Sequence, residues 1–231
     1  MANYVGIDFG TTNSVVAQLV EEPTRVDIQV VNNNLGSDRT PSAVAVSAQQ
    51  TEWLFGQAAK EANTPHKVLS VKRILGTDQQ VELAGRQFRT EAVASLLMRY
   101  LITQAQRRVG EPVEAAVITV PANSKGLQRN ATKLAATTAG VRVLNLINEP
   151  TAAAMAYGLG KSSAGRSLRV LVYDFGGGTF DVTLLRAHHG IFEEVASRGL
   201  RRCGGDDLDA ALADNLRAGL LAEHEDRKSV V

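Results

Sequence analysis

Cysteine is almost missing from this 231-residue chain. Cys203 stands alone, which excludes an intramolecular disulfide and a cysteine metal cluster and fits a reducing compartment. Neither sign of charge dominates. With 25 basic and 24 acidic residues the net charge is +1, so nothing in the overall balance points to nucleic acid or to an anionic membrane. No segment approaches the roughly 18 uninterrupted apolar residues of a membrane span, and the opening MANYVGIDFG has no basic stretch leading into a long apolar one. A soluble, cytoplasmic protein is expected. The 44% apolar content suffices for a buried core, and the length allows one large domain or two small ones.

Local patterns divide the chain into strands and helices. Short β-branched runs at 4–8, 14–20 and 26–31 read as an antiparallel meander, and TPSAVAVS adds a strand behind Pro41. From Thr90, Val93, Leu96, Leu97, Tyr100, Leu101 and Ala105 follow helical spacing up to Gly110. AAVITV is a buried strand ending at Pro121, after which Ser124 is a candidate cap for a helix to about 139, stopped by Gly140. VRVLNLI returns as a strand and Pro150 opens a short helix. GKSSAGRS is a polar connection, followed by strands near 169–173, 179–185 and 191–197. A helix is expected from about Asp206, with Leu208, Ala211, Leu212 and Leu216 as its core-facing stripe, and the tail DRKSVV breaks its pattern.

One pattern occurs twice. IDFGTTNSVVAQL (7–19) aligns with YDFGGGTFDVTLL (173–185), so that Asp8, Phe9, Gly10, Val16 and Leu19 meet identical residues at Asp174, Phe175, Gly176, Val182 and Leu185. Each copy is a strand ending in Asp, a Gly/Thr turn and a returning strand. Two unrelated hairpins are the plain alternative, but the shared position of the acid favours a common role. Successive N–H groups in such turns form concave nests for anions, phosphate above all. The hydroxyls of Thr11, Thr12 and Thr179 add donors. Asp8 and Asp174 would repel phosphate unless a hard cation lay between, and Mg²⁺ suits two carboxylates with water completing its shell.

Other candidate motifs fail on context. GKS at 160–162 and GKSSAGRS resemble parts of a phosphate-binding loop, yet both follow a helix and precede a strand, the reverse of the order that aims N–H groups at phosphate. His188 and His189 read as a solvated hairpin tip with no further ligands nearby, and Cys203 as packing.

The motifs GIDFGTTNS, RTPSAVAV, VKRILG, AAVITVPA, INEPTAAAMAYGL, VYDFGGGTFDVTLL and CGGDDLD, in this order and over nearly all of the chain to about Glu225, resemble the seventy-kilodalton heat-shock chaperone family, the DnaK-like proteins, in their ATPase domain. The resemblance implies an α/β, actin-like (ribonuclease-H-like) fold of two duplicated lobes with ATP or ADP between them. It places a complete first lobe at 1–160, a linker at 161–168 and the start of an incomplete second lobe at 169–231. Gly10, Thr11, Thr12 and Asn13 would grip the phosphates from one side, and Gly176, Gly177, Gly178 and Thr179 from the other. Asp8 and Asp174 would organise Mg²⁺, with Asp181 contributing to cation binding and K⁺ a second candidate ion. Lys72 would reach the γ-phosphate and attacking water, Glu149 would order water near the metal, and Asp174 and Thr179 complete the catalytic set. Gly204, Gly205 and Asp206 would approach the ribose and phosphates. Pro121, Arg129 and Glu149 would connect nucleotide state to lobe rotation.

Without the family order, Lys72 with Arg73 reads as a solvated basic pair, and Glu149 with Pro150 as a helix start. The chain also departs from the family pattern. It is shorter between Lys72 and Pro121, PANSKGLQRNATK differs from the common form, Phe9 and Phe175 stand where leucine is frequent, and the later strands and helices of the second lobe, with much of the adenine pocket, are missing. An unfinished sheet exposes an edge and apolar surface. The expected function is the ATP-binding and ATP-hydrolysing part of a DnaK-type chaperone. Its full-length parent would work on unfolded client peptides with a J-domain co-chaperone and a nucleotide exchange factor, and without nucleic acid or membrane. A small-molecule kinase of the same superfamily and a non-catalytic fragment are the alternatives.

Overall fold

A computed structural model describes residues 3–22, 25–159 and 167–228. In chain order its strands are β1 (Asn3–Phe9), β2 (Asn13–Glu22), β3 (Arg25–Val30), β4 (Thr40–Pro41), β5 (Ala43–Val46), β6 (Trp53–Phe55), β7 (Lys67–Leu69), β8 (Gln80–Leu83), β9 (Arg86–Arg89), β10 (Val113–Val120), β11 (Arg142–Asn148), β12 (Leu168–Phe175), β13 (Thr179–His188) and β14 (Ile191–Arg201). The helices are α1 (Gln57–Glu61), α2 (Thr90–Val109), α3 (Gly126–Ala139), α4 (Glu149–Ala156) and α5 (Gly205–Lys228), and Val71–Arg73 forms a 3₁₀ turn.

The main sheet runs β11-β10-β1-β2-β3, with β4 added to β2. Its two hairpins are antiparallel, whereas β10 joins β1, and β11 joins β10, in parallel. Those parallel connections need crossovers, and α3 supplies one of them. Ile7, Phe9 and Ile118 are buried in a core shared with Leu97, Met98 and Leu101 of α2 and Ala135 of α3. The helical spacing read from Thr90 is therefore a core stripe, ended by Gly110 in the left-handed region at φ 82°. Lys125 rather than Ser124 flanks α3, its backbone N–H donating to Gln128 Oε1 at 3.2 Å.

The second copy of the repeat forms a separate meander, β12-β13-β14, as the alignment of the two turns requires. Its packing differs from that of the first. Phe9 is fully buried, while its counterpart Phe175 is 46% exposed. Two expectations for the last helix need correction. Leu208, Leu212 and Leu216 are 63%, 60% and 60% exposed, because no described element covers that face; helical periodicity reports an apolar stripe but not what meets it. The helix also continues through Asp226, Arg227 and Lys228, since arginine and lysine are good helix formers and neither glycine nor proline interrupts the segment. The GKSSAGRS connection falls almost wholly outside the described residues.

Candidate functional site: a cleft between two glycine turns

Each turn is fixed by bonds that occupy its carbonyl oxygens. In the first, a Cβ on Gly10 would lie 2.0 Å from the Asn13 carbonyl oxygen, so only glycine fits. Ser42 donates from its hydroxyl to Gly10 O and from its N–H to Thr12 O, both at 2.8 Å, and its Oγ lies 2.9 Å from the buried Ser14 Oγ. In the second turn, Gly176 N–H donates to Thr179 O at 2.9 Å, while Gly176 O and Gly177 O accept from the N–H groups of Gly205 at 3.1 Å and Asp206 at 2.8 Å. The two turns press together: a Cβ on Gly177 would meet Thr12 Oγ1 at 2.1 Å.

Between and beside them lies a cleft of about 550 Å³. Asp8, Gly10, Thr11, Thr12 and Asn13 face it from the first sheet, and Asp174, Gly176, Gly177, Gly178 and Thr179 from the second. Lys72 enters from the 3₁₀ turn and Glu149 from the start of α4. These two form an ion pair that is largely shielded from solvent, so VKRILG supplies a cleft residue rather than a solvated pair. Thr119 donates to Asp8 Oδ1 at 2.5 Å and orients that carboxylate.

The other expected site residues stand one layer back. Asp181 shares a small cavity with Pro121, Glu149 and Asp174, and accepts from Asn123 Nδ2 at 3.3 Å. Gly204, Gly205 and Asp206 lie behind the second turn rather than lining the cleft, Gly205 and Asp206 bonded to its backbone and Gly204 packed against it; Asp206 Oδ2 lies 3.4 Å from Thr12 Oγ1 and 3.6 Å from Arg73 Nη2. Arg129 donates to Asn148 Oδ1 at 2.8 Å and to Leu146 O at 3.4 Å. Sequence reasoning missed Ser42, Arg73, Thr119, Asn123 and Asn148. A polar Thr119 inside the apolar strand AAVITV was the one available signal.

The carboxylates crowd one another. Burial raises the Glu149 pKa, opposed by the charge and hydrogen bond of Lys72 and reinforced by Asp8 and Asp174. Burial, then the Asp8 charge, raises Asp174 against the pull of Lys72. Burial, then Asp174, raises Asp181. A carboxyl with a folded-state pKa above its unfolded value contributes stability below the unfolded pKa and loses it as pH rises through the folded one. At neutral pH these acids therefore oppose folding of the ligand-free chain. Asp174→Asn is expected to raise the neutral-pH Tm and to reduce the stability that wild type gains as pH falls toward the ordinary carboxylate range. Identical Tm values for the two proteins across that range would refute this account.

Among the described residues no three His, Cys, Asp or Glu side chains are placed to hold a metal ion together, so a cation held by Asp8 and Asp174 would take its remaining ligands from water and from a bound anion. That donor set fits Mg²⁺, which takes one or two carboxylates and keeps several waters.

Fold, paired glycine turns and carboxylate-lined cleft together define a mixed α/β protein whose cleft lies between the β1 and β12 sheets, and the chain belongs to the Hsp70 protein family, whose model matches residues 4–228. Its relatives include proteins called chaperone protein DnaK from Thermotoga petrophila and Thermotoga maritima, each 41% identical over 98% of this chain. The chain spans 38% of the length of those relatives. Membership in this family implies an actin-like ATPase fold and does not favour the small-molecule kinase. Among the described residues no helix is long and apolar enough to cross a membrane.

Proposed function

We propose that this chain is the nucleotide-binding part of a DnaK-type chaperone and that Mg-ATP, or Mg-ADP after hydrolysis, occupies the cleft. The observation that carries the reading is the convergence of both glycine turns, two carboxylates and Lys72 on one cavity. The N–H groups and hydroxyls of residues 10–13 and 176–179 bind phosphate oxygens from two sides. Asp8 and Asp174 would hold Mg²⁺, which would neutralise developing phosphate charge. Lys72 is released from Glu149 toward the terminal phosphate, where its charge favours the transferring group. Glu149 is thereby left to accept from water. Asp181 adds negative charge for a second cation such as K⁺. Gly204, Gly205 and Asp206 serve first by bracing residues 176 and 177.

In this reading residues 1–160 form the first lobe and 169–231 begin the second, with 161–168 as linker. The adenine-binding half and the peptide-binding activity reside in the remainder of a longer protein, which acts in the cytoplasm on unfolded peptides with a J-domain co-chaperone and an exchange factor. Pro121, Arg129 and Glu149 pass nucleotide state between lobes. Calorimetric titration of the 231-residue chain with ATP is expected to give Mg²⁺-dependent heat that Asp8→Asn and Asp174→Asn weaken. Absence of heat together with absence of a thermal shift would leave a non-catalytic fragment.

A further inference from the structure

The N-cap of α4 breaks a local rule. Asparagine is among the preferred capping residues because its side chain accepts from the first free N–H groups of a helix, yet Asn148 makes no such bond. Its amide is used elsewhere. Oδ1 accepts from Arg129 Nη1 at 2.8 Å, and Nδ2 donates to Glu194 Oε2 at 3.0 Å. Arginine can only donate and an ionised carboxylate only accept, so the two partners fix the orientation of the amide between them. The bond to Glu194 joins the first sheet to β14, and Arg129 ties the same amide to α3.

Strand β14 is shaped to deliver that carboxylate. Side chains alternate along a strand, and Glu193 turns to Arg186 of the neighbouring strand, 3.0 Å away. Glu194 points the other way. The register of β13 against β14 steps from Leu184↔Ala196 to Leu185↔Glu194, leaving Val195 as an extra residue; such bulges bend a strand and re-aim the adjacent side chain. Asn148 immediately precedes Glu149, the partner of Lys72 in the cleft.

We infer that Asn148 and Glu194 form a clamp between the two sheets that positions Glu149, with Arg129 anchoring the clamp to α3. Glu194 and Asn148 are positioning residues: they reach the cleft only through the backbone of Glu149. Separation of the sheets would break the Asn148–Glu194 bond and free the start of α4, so the position of β14 and the setting of Glu149 change together. The mechanical part of this inference stands on the hydrogen bonds alone, and its effect on ligand affinity rests on the nucleotide reading above.

Hydrogen exchange on the ligand-free 231-residue chain tests the mechanical part. Glu194→Ala is expected to speed exchange in 145–152 and 191–197, while Glu193→Ala, which removes the neighbouring pair on the opposite face, leaves 145–152 at the wild-type rate. Glu194→Gln retains an acceptor oxygen and should restore protection, whereas Glu194→Met, of similar length but without that acceptor, should not, as it would if only packing had been lost. Exchange in 145–152 that is the same in Glu194→Ala and wild type overturns the clamp whether or not nucleotide binds. In titrations with Mg-ATP, Glu194→Ala is expected to weaken binding about threefold to tenfold, the range of ordinary intramolecular coupling, with Glu194→Gln close to wild type. Heat from wild type with equal affinity in Glu194→Ala would overturn the link to Glu149; no heat from wild type would instead count against the nucleotide reading and leave the exchange result to decide the clamp.

Discussion

Lys72→Ala is expected to lower ATP turnover by about 10²–10³-fold in this chain extended to the full length of its relatives, the scale of removing one preorganised charge from a transition state. The loss should fall on kcat more than on KM. Both turns and both aspartates remain to bind the ligand, whereas no other basic side chain lines the cleft among the described residues. The substitution also leaves Glu149 without the partner that opposes its burial. Its pKa should rise further, moving the low-pH limb of any residual activity to higher pH. Lys72→Ala combined with Glu149→Gln separates the two effects: the double variant, with no carboxyl left to titrate at 149, should lose the shifted low-pH limb without recovering the rate. Single-turnover measurement of phosphate release distinguishes these outcomes, and an unaltered rate in Lys72→Ala would end the assignment of that lysine to the chemistry.

The second large effect concerns a glycine outside the cleft. A Cβ on Gly204 would sit 2.4 Å from both the carbonyl carbon and oxygen of Gly177 and 2.5 Å from the Gly178 nitrogen. All are backbone atoms, which cannot swing aside as a side chain can. Gly204→Val is expected to destabilise the chain by about 2–3 kcal/mol through overpacking and to abolish Mg-ATP binding, because the second turn must move to admit the new side chain. Gly219 supplies the contrast. It lies within α5 with nothing inside 4 Å of its would-be Cβ, so Gly219→Ala should stabilise by about 0.5–1 kcal/mol through helix propensity. Thermal denaturation of both variants with a binding titration checks the pair; a Gly204→Val protein that melts and binds like wild type would refute the bracing role of residues 204–206.

The features legible in the sequence were those whose cause is local. Gly10 cannot carry a side chain because of a residue three positions away, and Gly110 terminates α2 by its own conformation. The β8–β9 hairpin left no such mark: its turn places both Ala84 and Gly85 at positive φ, 52° and 70°, and alanine there carries none of the Asn-Gly signal of a tight hairpin. Strands β6 and β7, three residues each, exist only because β5 pairs with both. Ser42, Thr119 and Asn148 are ordinary polar residues whose roles depend on partners distant in the chain. The resemblance assigns Gly204 an approach to ligand, whereas its packing against Gly177 and Gly178 depends on a turn well before it in the chain and leaves no mark in the local sequence.

The Ser42 bonds to the first turn and the α5 bonds to the second have a kinetic consequence. A ligand entering the cleft meets loops already frozen in shape, so little ordering entropy opposes association. Under the proposed function, escape would then wait on the parting of the two sheets rather than on the melting of either loop. Residence time should accordingly respond to substitutions at the seam between the sheets far more than to changes that loosen the exposed rim.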